Sequence, residues 1–325
     1  MNHRLTTASL LAATLSITAT TCLAQPYPNK PVRVVAAYPV GAGPDTVLRL
    51  VIDRLQRTMG QTFVIENRPQ ANALIAAEQV KRAAPDGYTL LEVDDAHLGA
   101  NPSLYKNIPY DPVKDFEPVA MLFQTYFFFV VPTNSPWKTI PDLINAAKAK
   151  PGILTHGSWG IGSVGHLSMA QFESLTGTQF THVPFQGVTL VYPAVGNGDV
   201  NWAFGTVASS GSSARAGKIR YLAAAAPKRI VGFPDIPTVA EAGGPADFET
   251  RAWVAIMAPR GVPADIITRL NTEIGKALSE PEVKEKMNAI GFEPFIASPA
   301  EVSRAMEAAT KRYSEIIRRT KISLD

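Results

Sequence analysis

Apolar positions along this chain follow two alternating rhythms, a short continuous run and a helical repeat. Residues 31–37 form a brief apolar run and pass into Tyr38-Pro39-Val40-Gly41-Ala42-Gly43-Pro44, a turn by composition. Val47, Leu48, Leu50, Val51, Leu55 and Met59 then recur at helical spacing. Arg49, Asp53, Arg54 and Arg57 take the other face, and Gly60 supplies the stop. Asp45, or the residues just before it, can cap the start. Residues 62–65 predict a second strand, 74–84 a helix and 88–93 a third strand. Strands alternating with helices predict a parallel sheet covered by helices.

The second half repeats the plan. Residues 139–150 predict a helix capped by Thr139 and ended by Pro151-Gly152, followed by a strand over 153–155. The loop Gly157-Ser158-Trp159-Gly160-Ile161-Gly162-Ser163 opens a helix carrying Leu167, Met169, Phe172 and Leu175, which Gly177 stops. Strands are expected over 181–183, 200–204 and 219–225, and a helix over 189–195. Residues 126–129 read as a buried strand near a crossover, and 253–257 as a strand returning to the first unit. The amphipathic helices 264–278, 281–290 and 299–320 close the chain with no further strand among them. The pattern predicts two α/β lobes with mainly parallel sheets and an interlobe cleft. Lobe 1 is expected over 25–131 and 256–325, lobe 2 over 132–255, and the hinge near 130–133 and 252–259.

Residues 1–24 have the layout of a cleavable signal peptide: Arg4, an apolar stretch over 5–19, and Cys22-Leu23-Ala24 as a small-x-small cleavage site. The apolar stretch is too short and threonine-rich to span a bilayer, and Ala19-Thr20-Thr21 is a poor approach to a lipid-modified cysteine. Cys22 is the only cysteine of the 325 residues, so cleavage leaves neither disulfide nor thiolate. A net charge of +3, with no basic run interleaved with aromatics, gives nucleic-acid binding no support.

The candidate chemistry is one device used twice: a strand end, a glycine-rich turn, then a helix. The first turn of a helix leaves backbone N–H groups unpaired, and the helix dipole adds partial positive charge there. Two such turns facing across a cleft would hold a small carboxylate without Lys or Arg. The bland alternative is that these glycines merely make tight turns. Gly160-Ile161-Gly162-Ser163-Val164-Gly165 also fits the dinucleotide pattern, but the next strand ends His182-Val183-Pro184-Phe185-Gln186 with no carboxylate for a ribose. A hydrolase elbow is spoiled by Ile161 two residues before Ser163, and no histidine has metal-ligand spacing with a carboxylate. Neither a cofactor nor a metal is expected. Asp94 and Asp95 follow the third strand, as a ligand contact or as a solvated pair; Trp159 is a stacking surface or lid packing.

The chain resembles the Bug family, the substrate receptors of tripartite tricarboxylate transporters, over nearly its whole mature length. The matching stretches include Tyr38-Pro39-Val40-Gly41-Ala42-Gly43-Pro44-Asp45, Ile65-Glu66-Asn67-Arg68-Pro69, Ala84-Pro85-Asp86-Gly87-Tyr88-Thr89-Leu90 and Asp115-Phe116-Glu117-Pro118-Val119. His182-Val183-Pro184-Phe185-Gln186-Gly187 and Pro234-Asp235-Ile236-Pro237-Thr238 continue the series. The resemblance implies a type II periplasmic-binding-protein fold that closes over a carboxylate held by backbone amides and water. It implies ligand contacts from Tyr38, Pro39, Gly41, Ala42, Gly43 and Asp45 in lobe 1. In lobe 2 it implies Ser158, Gly162, Ser163, His166, Phe185 and Gln186. Asp94 and Trp159 join these by position. The implied protein is a monomeric periplasmic receptor, not an enzyme, handing its ligand to a transporter's membrane subunits. That ligand is a di- or tricarboxylate, an amino acid or an aromatic acid. A receptor feeding a membrane regulator would use the same capture chemistry. The sequence departs from the family at Ala42, where a second glycine is usual, and at Asn201 and Gly205, where aspartates are usual.

Overall fold

The structure is a computed structural model that describes residues 27–324; the segment assigned to export lies outside the described residues. The chain opens with β1 (Val32–Ala36), α1 (Gly43–Met59), β2 (Phe63–Asn67), α2 (Leu74–Lys81) and β3 (Thr89–Asp94). Two short helices, α3 (Asp95–Gly99) and α4 (Asn101–Leu104), precede the long strand β4 (Phe116–Tyr126). Next come β5 (Phe128–Pro132), α5 (Ile140–Ala149), β6 (Thr155–Ser158), α6 (Val164–Thr176), β7 (Thr181–Pro184) and α7 (Val188–Asn197). β8 (Trp202–Gly205), α8 (Val207–Arg215) and β9 (Ile219–Ala224) complete the second half. The chain then returns through β10 (Arg251–Pro259), α9 (Ala264–Ser279), α10 (Pro281–Ala289), β11 (Phe292–Pro294) and α11 (Pro299–Thr320).

Two sheets result, ordered β11-β4-β10-β3-β1-β2 and β7-β6-β8-β5-β9. Both are mixed and not mainly parallel. β1 pairs in parallel with β2 and β3, but β10 runs antiparallel to β3 and β4; β5 runs antiparallel to β8 and β9. β4, β5 and β10, the strands next to the crossings between sheets, all pair antiparallel with their neighbours.

The helical repeats bury the faces expected of them. Val47, Leu48, Val51, Ile52 and Leu55 of α1 pack with Val32, Val34 and Ala36 of β1 and with Ile267, Leu270 and Ile274 of α9. The opposite face meets α2 and α11 through Ala76, Val80, Met306 and Tyr313. In the second sheet, Phe129 stacks on Trp202 at 5.3 Å and meets Phe172 and Phe204 edge-on. Thr139 caps α5 in a capping box with Asp142, and Gly60 ends α1 at φ 67°. β11, where no strand was expected, is only three residues long and exists through its pairing with β4.

The chain changes sheets at single residues. Phe127 stands between β4 and β5; its N–H donates to Thr250 O at 3.1 Å and its carbonyl accepts from Ala225 N–H at 2.8 Å. The return crossing passes through Thr250 into β10. The expected breaks at 131/132 and 255/256 therefore fall inside β5 and β10. The expected hinge at 130–133 and 252–259 likewise falls in paired strands, a few residues beyond the crossings.

Candidate ligand-binding site

The turn after β1 is built around one carboxylate. Asp45, fully buried on the first turn of α1, accepts from Gly41 N–H at 2.8 Å. It also accepts from Arg49 Nε at 2.8 Å and Nη2 at 3.0 Å, and from Asn67 Nδ2 at 2.8 Å. Asn67 reaches Tyr38 O at 2.9 Å as well, pinning the turn to the end of β2. Burial pushes the Asp45 carboxyl up, but Arg49, the Gly41 amide and Asn67 outweigh it and hold it below the ordinary range. Asp45 thus shapes the turn, with all its partners inside the protein. Ala42 N–H is spent on Pro39 O at 3.1 Å, and Pro44 has no N–H, so the first-turn amides left by helix geometry are those of Gly43 and Asp45.

Behind this turn lies an acidic group on one face of the sheet. Glu92 of β3 pairs with Ala36 and Ile256, is fully buried, and has no hydrogen-bond partner for either carboxylate oxygen. Burial, reinforced by Asp45 and Asp94, drives its pKa well above the usual carboxylate range. The Tyr38 hydroxyl is buried beside Asp94 without hydrogen-bond geometry, and burial raises its pKa too. Asp94 itself caps α3, accepting from His97 N–H at 2.8 Å, with His97 Nδ1 3.0 Å from the same oxygen. Asp95 is fully buried, within 2.8 Å of Arg312 Nη2 and 3.0 Å of the Tyr313 hydroxyl on α11. Burial pushes Asp95 up to about 6 despite Arg312. The pair, read from the sequence as a ligand contact or as a solvated pair, is not simply solvated: Asp94 caps α3, and Asp95 ties the C-terminal helix to the start of α3.

The turn after β6 is a closed network. Ser158 Oγ accepts from Gly160 N–H at 3.2 Å and lies 2.6 Å from His182 Nε2. Ser163 Oγ donates to Gly160 O at 2.7 Å and accepts from His166 N–H at 3.4 Å, capping α6. Gly162 N–H donates to His166 Nδ1 at 3.1 Å. Trp159 lies over Gly165 and stacks on Phe127 at 5.7 Å, so its ring is packing at the crossover. Phe185 packs against Gly157 under the turn, while Gln186 is exposed. Val164 and Gly165 are the first-turn amides that helix geometry leaves open.

Across the seam, the two expected turns each meet a different element. A Cβ built on Gly43 would lie 3.1 Å from Ala208 Cβ at the start of α8, and it would collide with Phe292. Gly162, at φ 77°, is covered by Leu104 of α4 and by Leu324, whose N–H donates to Leu104 O at 3.0 Å. The start of α8 was missing from the sequence expectation. Thr206 caps it with Ser209 in a capping box, leaving Val207 and Ala208 as its open amides. The readable signal was Thr206-Val207-Ala208-Ser209, after a strand and directly after Gly205, where an aspartate was usual.

None of these three helix starts carries a free cation in its first turn. Among the described residues, no group of His, Cys, Asp or Glu could hold a metal ion, and no helix is long and apolar enough to cross a membrane.

Comparison with known proteins agrees with this architecture. The profile of the tripartite tricarboxylate transporter family receptor matches residues 47–322. The protein BugT of Bordetella pertussis is 31% identical over 328 residues, covering 98% of this chain and 98% of its own. An R. palustris protein solved with adipate is 33% identical, with a TM-score of 0.85 over 91% of this chain and 99% of its own. MatC from Rhodopseudomonas palustris with bound malate is 30% identical, with a TM-score of 0.80 over 90% and 100%.

Proposed function

The chain belongs to the tripartite tricarboxylate transporter receptor family, and from that membership we propose that it captures a small organic carboxylate between its lobes. We infer that it does so in the periplasm, as a monomer without enzymatic activity, and delivers the acid to a tripartite transporter's membrane subunits. One observation carries the reading: the starts of α1 and α8 meet across the seam at Gly43 and Ala208. Two positive dipole ends brought together are stabilised by an anion between them. The carboxylate of Asp45 is turned back into its own loop, so it leaves that space to the ligand. The ligand-bound relatives, holding adipate and malate, support a carboxylate as the ligand class.

Contacts are assigned to Gly43, Asp45 N–H, Val164, Gly165, Val207 and Ala208, with Tyr38, Pro39, Gly41, Ala42, Ser158, Ser163 and His166 shaping the turns. The test is a thermal-shift screen of the mature chain against mono-, di- and tricarboxylates, amino acids and aromatic acids. A cognate acid raises the melting temperature by mass action. A flat response across the whole panel contradicts the reading.

A further inference from the structure

The turn after β6 is held by two imidazoles whose part in it is more specific than filling space. His166 Nδ1 accepts the Gly162 N–H at 3.1 Å. Its ring lies on that of His182, with centroids 3.8 Å apart and planes 5° from parallel. His182 Nε2 is 2.6 Å from Ser158 Oγ, the atom that accepts Gly160 N–H. The two rings thus grip the turn at Gly160 and at Gly162. An accepting Nδ1 carries no proton, so the hydrogen bond fixes His166 as the neutral Nε2–H tautomer. Protonating it would set N–H against N–H and expel Gly162.

Nothing nearby favours an imidazolium. From β6, the ionisable group facing the pair is His156, fully buried with neither ring nitrogen hydrogen-bonded. On α6 the one carboxylate is Glu173, spent on Phe180 N–H; β7 and β8 carry none. From α11, which packs along α6, Arg312 is turned to Asp95.

We propose that His166 and His182 form an uncharged stacked clamp that fixes the Gly160–Ser163 turn and thereby sets the open first-turn amides of Val164 and Gly165 for an anionic ligand, and that protonating His166 unlocks the turn. The anionic part rests on the function proposed above. Burial agrees with the geometry, holding His166 down to about 3, with His182 adding to the effect, and His182 down to about 4.

The experiment is nitrogen-15 NMR of the histidine-labelled mature chain from pH 8 to 4, with amide exchange of Gly160 and Gly162 and with no ligand added. Both rings should be neutral at pH 5.5, with His166 protonated on Nε2. His166→Asn, whose side-chain oxygen can replace Nδ1, should keep Gly162 protection within about threefold. His166→Leu should lose at least tenfold, and His182→Phe, which stacks but cannot bond Ser158, should speed Gly160 exchange by a similar factor. Either ring titrating above pH 5.5 overturns the clamp, as does unchanged Gly162 protection in His166→Leu. Since no ligand is used, failure here leaves the carboxylate reading standing, and a blank acid screen leaves this result intact.

Discussion

Asp45→Ala is the sharpest probe of the first turn. Asp45 is fully buried and accepts from Gly41, from Arg49 twice and from Asn67. A hydrogen bond to a charged group is worth roughly 1.5–3 kcal/mol, but these do not simply add. Arg49 has a half-exposed side chain and Gly41 is exposed, so both recover water on losing Asp45. Asn67 keeps its bond to Tyr38 O and loses the other. The net loss should be about 2–3 kcal/mol, or roughly 3–5 °C in melting temperature for a chain of this size. Asp45→Asn should fall between, since it keeps an acceptor but sets an N–H₂ group against its donors.

The sign with pH follows from the lowered pKa. The contribution is fully present above the ordinary value of 3.8 and is lost as pH falls through the lower folded value. The acid arm of the stability curve should therefore flatten in Asp45→Asn. Urea unfolding from pH 7 to 3, with amide exchange at Gly41, reads both effects. A loss in Asp45→Ala below about 0.5 kcal/mol, the scatter of a neutral surface change, with Gly41 exchange unaltered, would refute the claim that this carboxylate builds the turn.

Three further outcomes follow from particular contacts. Gly162→Ala should destabilise the fold by at least about 1–2 kcal/mol, because φ is 77° and the added methyl meets Leu104; chemical denaturation reads the loss. Asp95→Ala should cost about 2–4 kcal/mol, and a double-mutant cycle with Arg312→Ala should show coupling of more than about 0.5 kcal/mol, since these side chains are 1% and 34% exposed. Wild-type stability should fall below the ordinary histidine value of 6.5, where the unfolded chain takes up protons that the buried rings refuse. His166 alone accounts for about 2 kcal/mol between pH 6.5 and 5, and calorimetry of His166→Asn against wild type isolates it.

Much of the fold was legible because local chemistry and tertiary packing agree. The strand–turn–helix units announce themselves through apolar spacing and terminal glycines, and Pro299–Thr320 is helical over the expected span. β4 was not legible: it is buried on both faces along most of its length, so it shows no alternation, and Pro118 interrupts it. The crossover at Phe127 hides inside Tyr126-Phe127-Phe128-Phe129, where uniform apolarity gives no break. In the site, the glycine turns were visible from composition, but what surrounds them was not. Asp95 finds its partners more than 200 residues away on α11, and Asn67 and Asp45 meet only because β1 and β2 pair. The start of α8 reaches Gly43 only through the folding of one lobe onto the other.

Isothermal titration of the mature chain with each acid of the panel beside its uncharged amide tests capture of an anion by main-chain donors most directly. At least one acid should bind one-to-one, its amide should not, and Asp45→Ala should weaken the acid at least tenfold. Equal binding of acid and amide, or an acid held as tightly by Asp45→Ala as by wild type, would contradict the account.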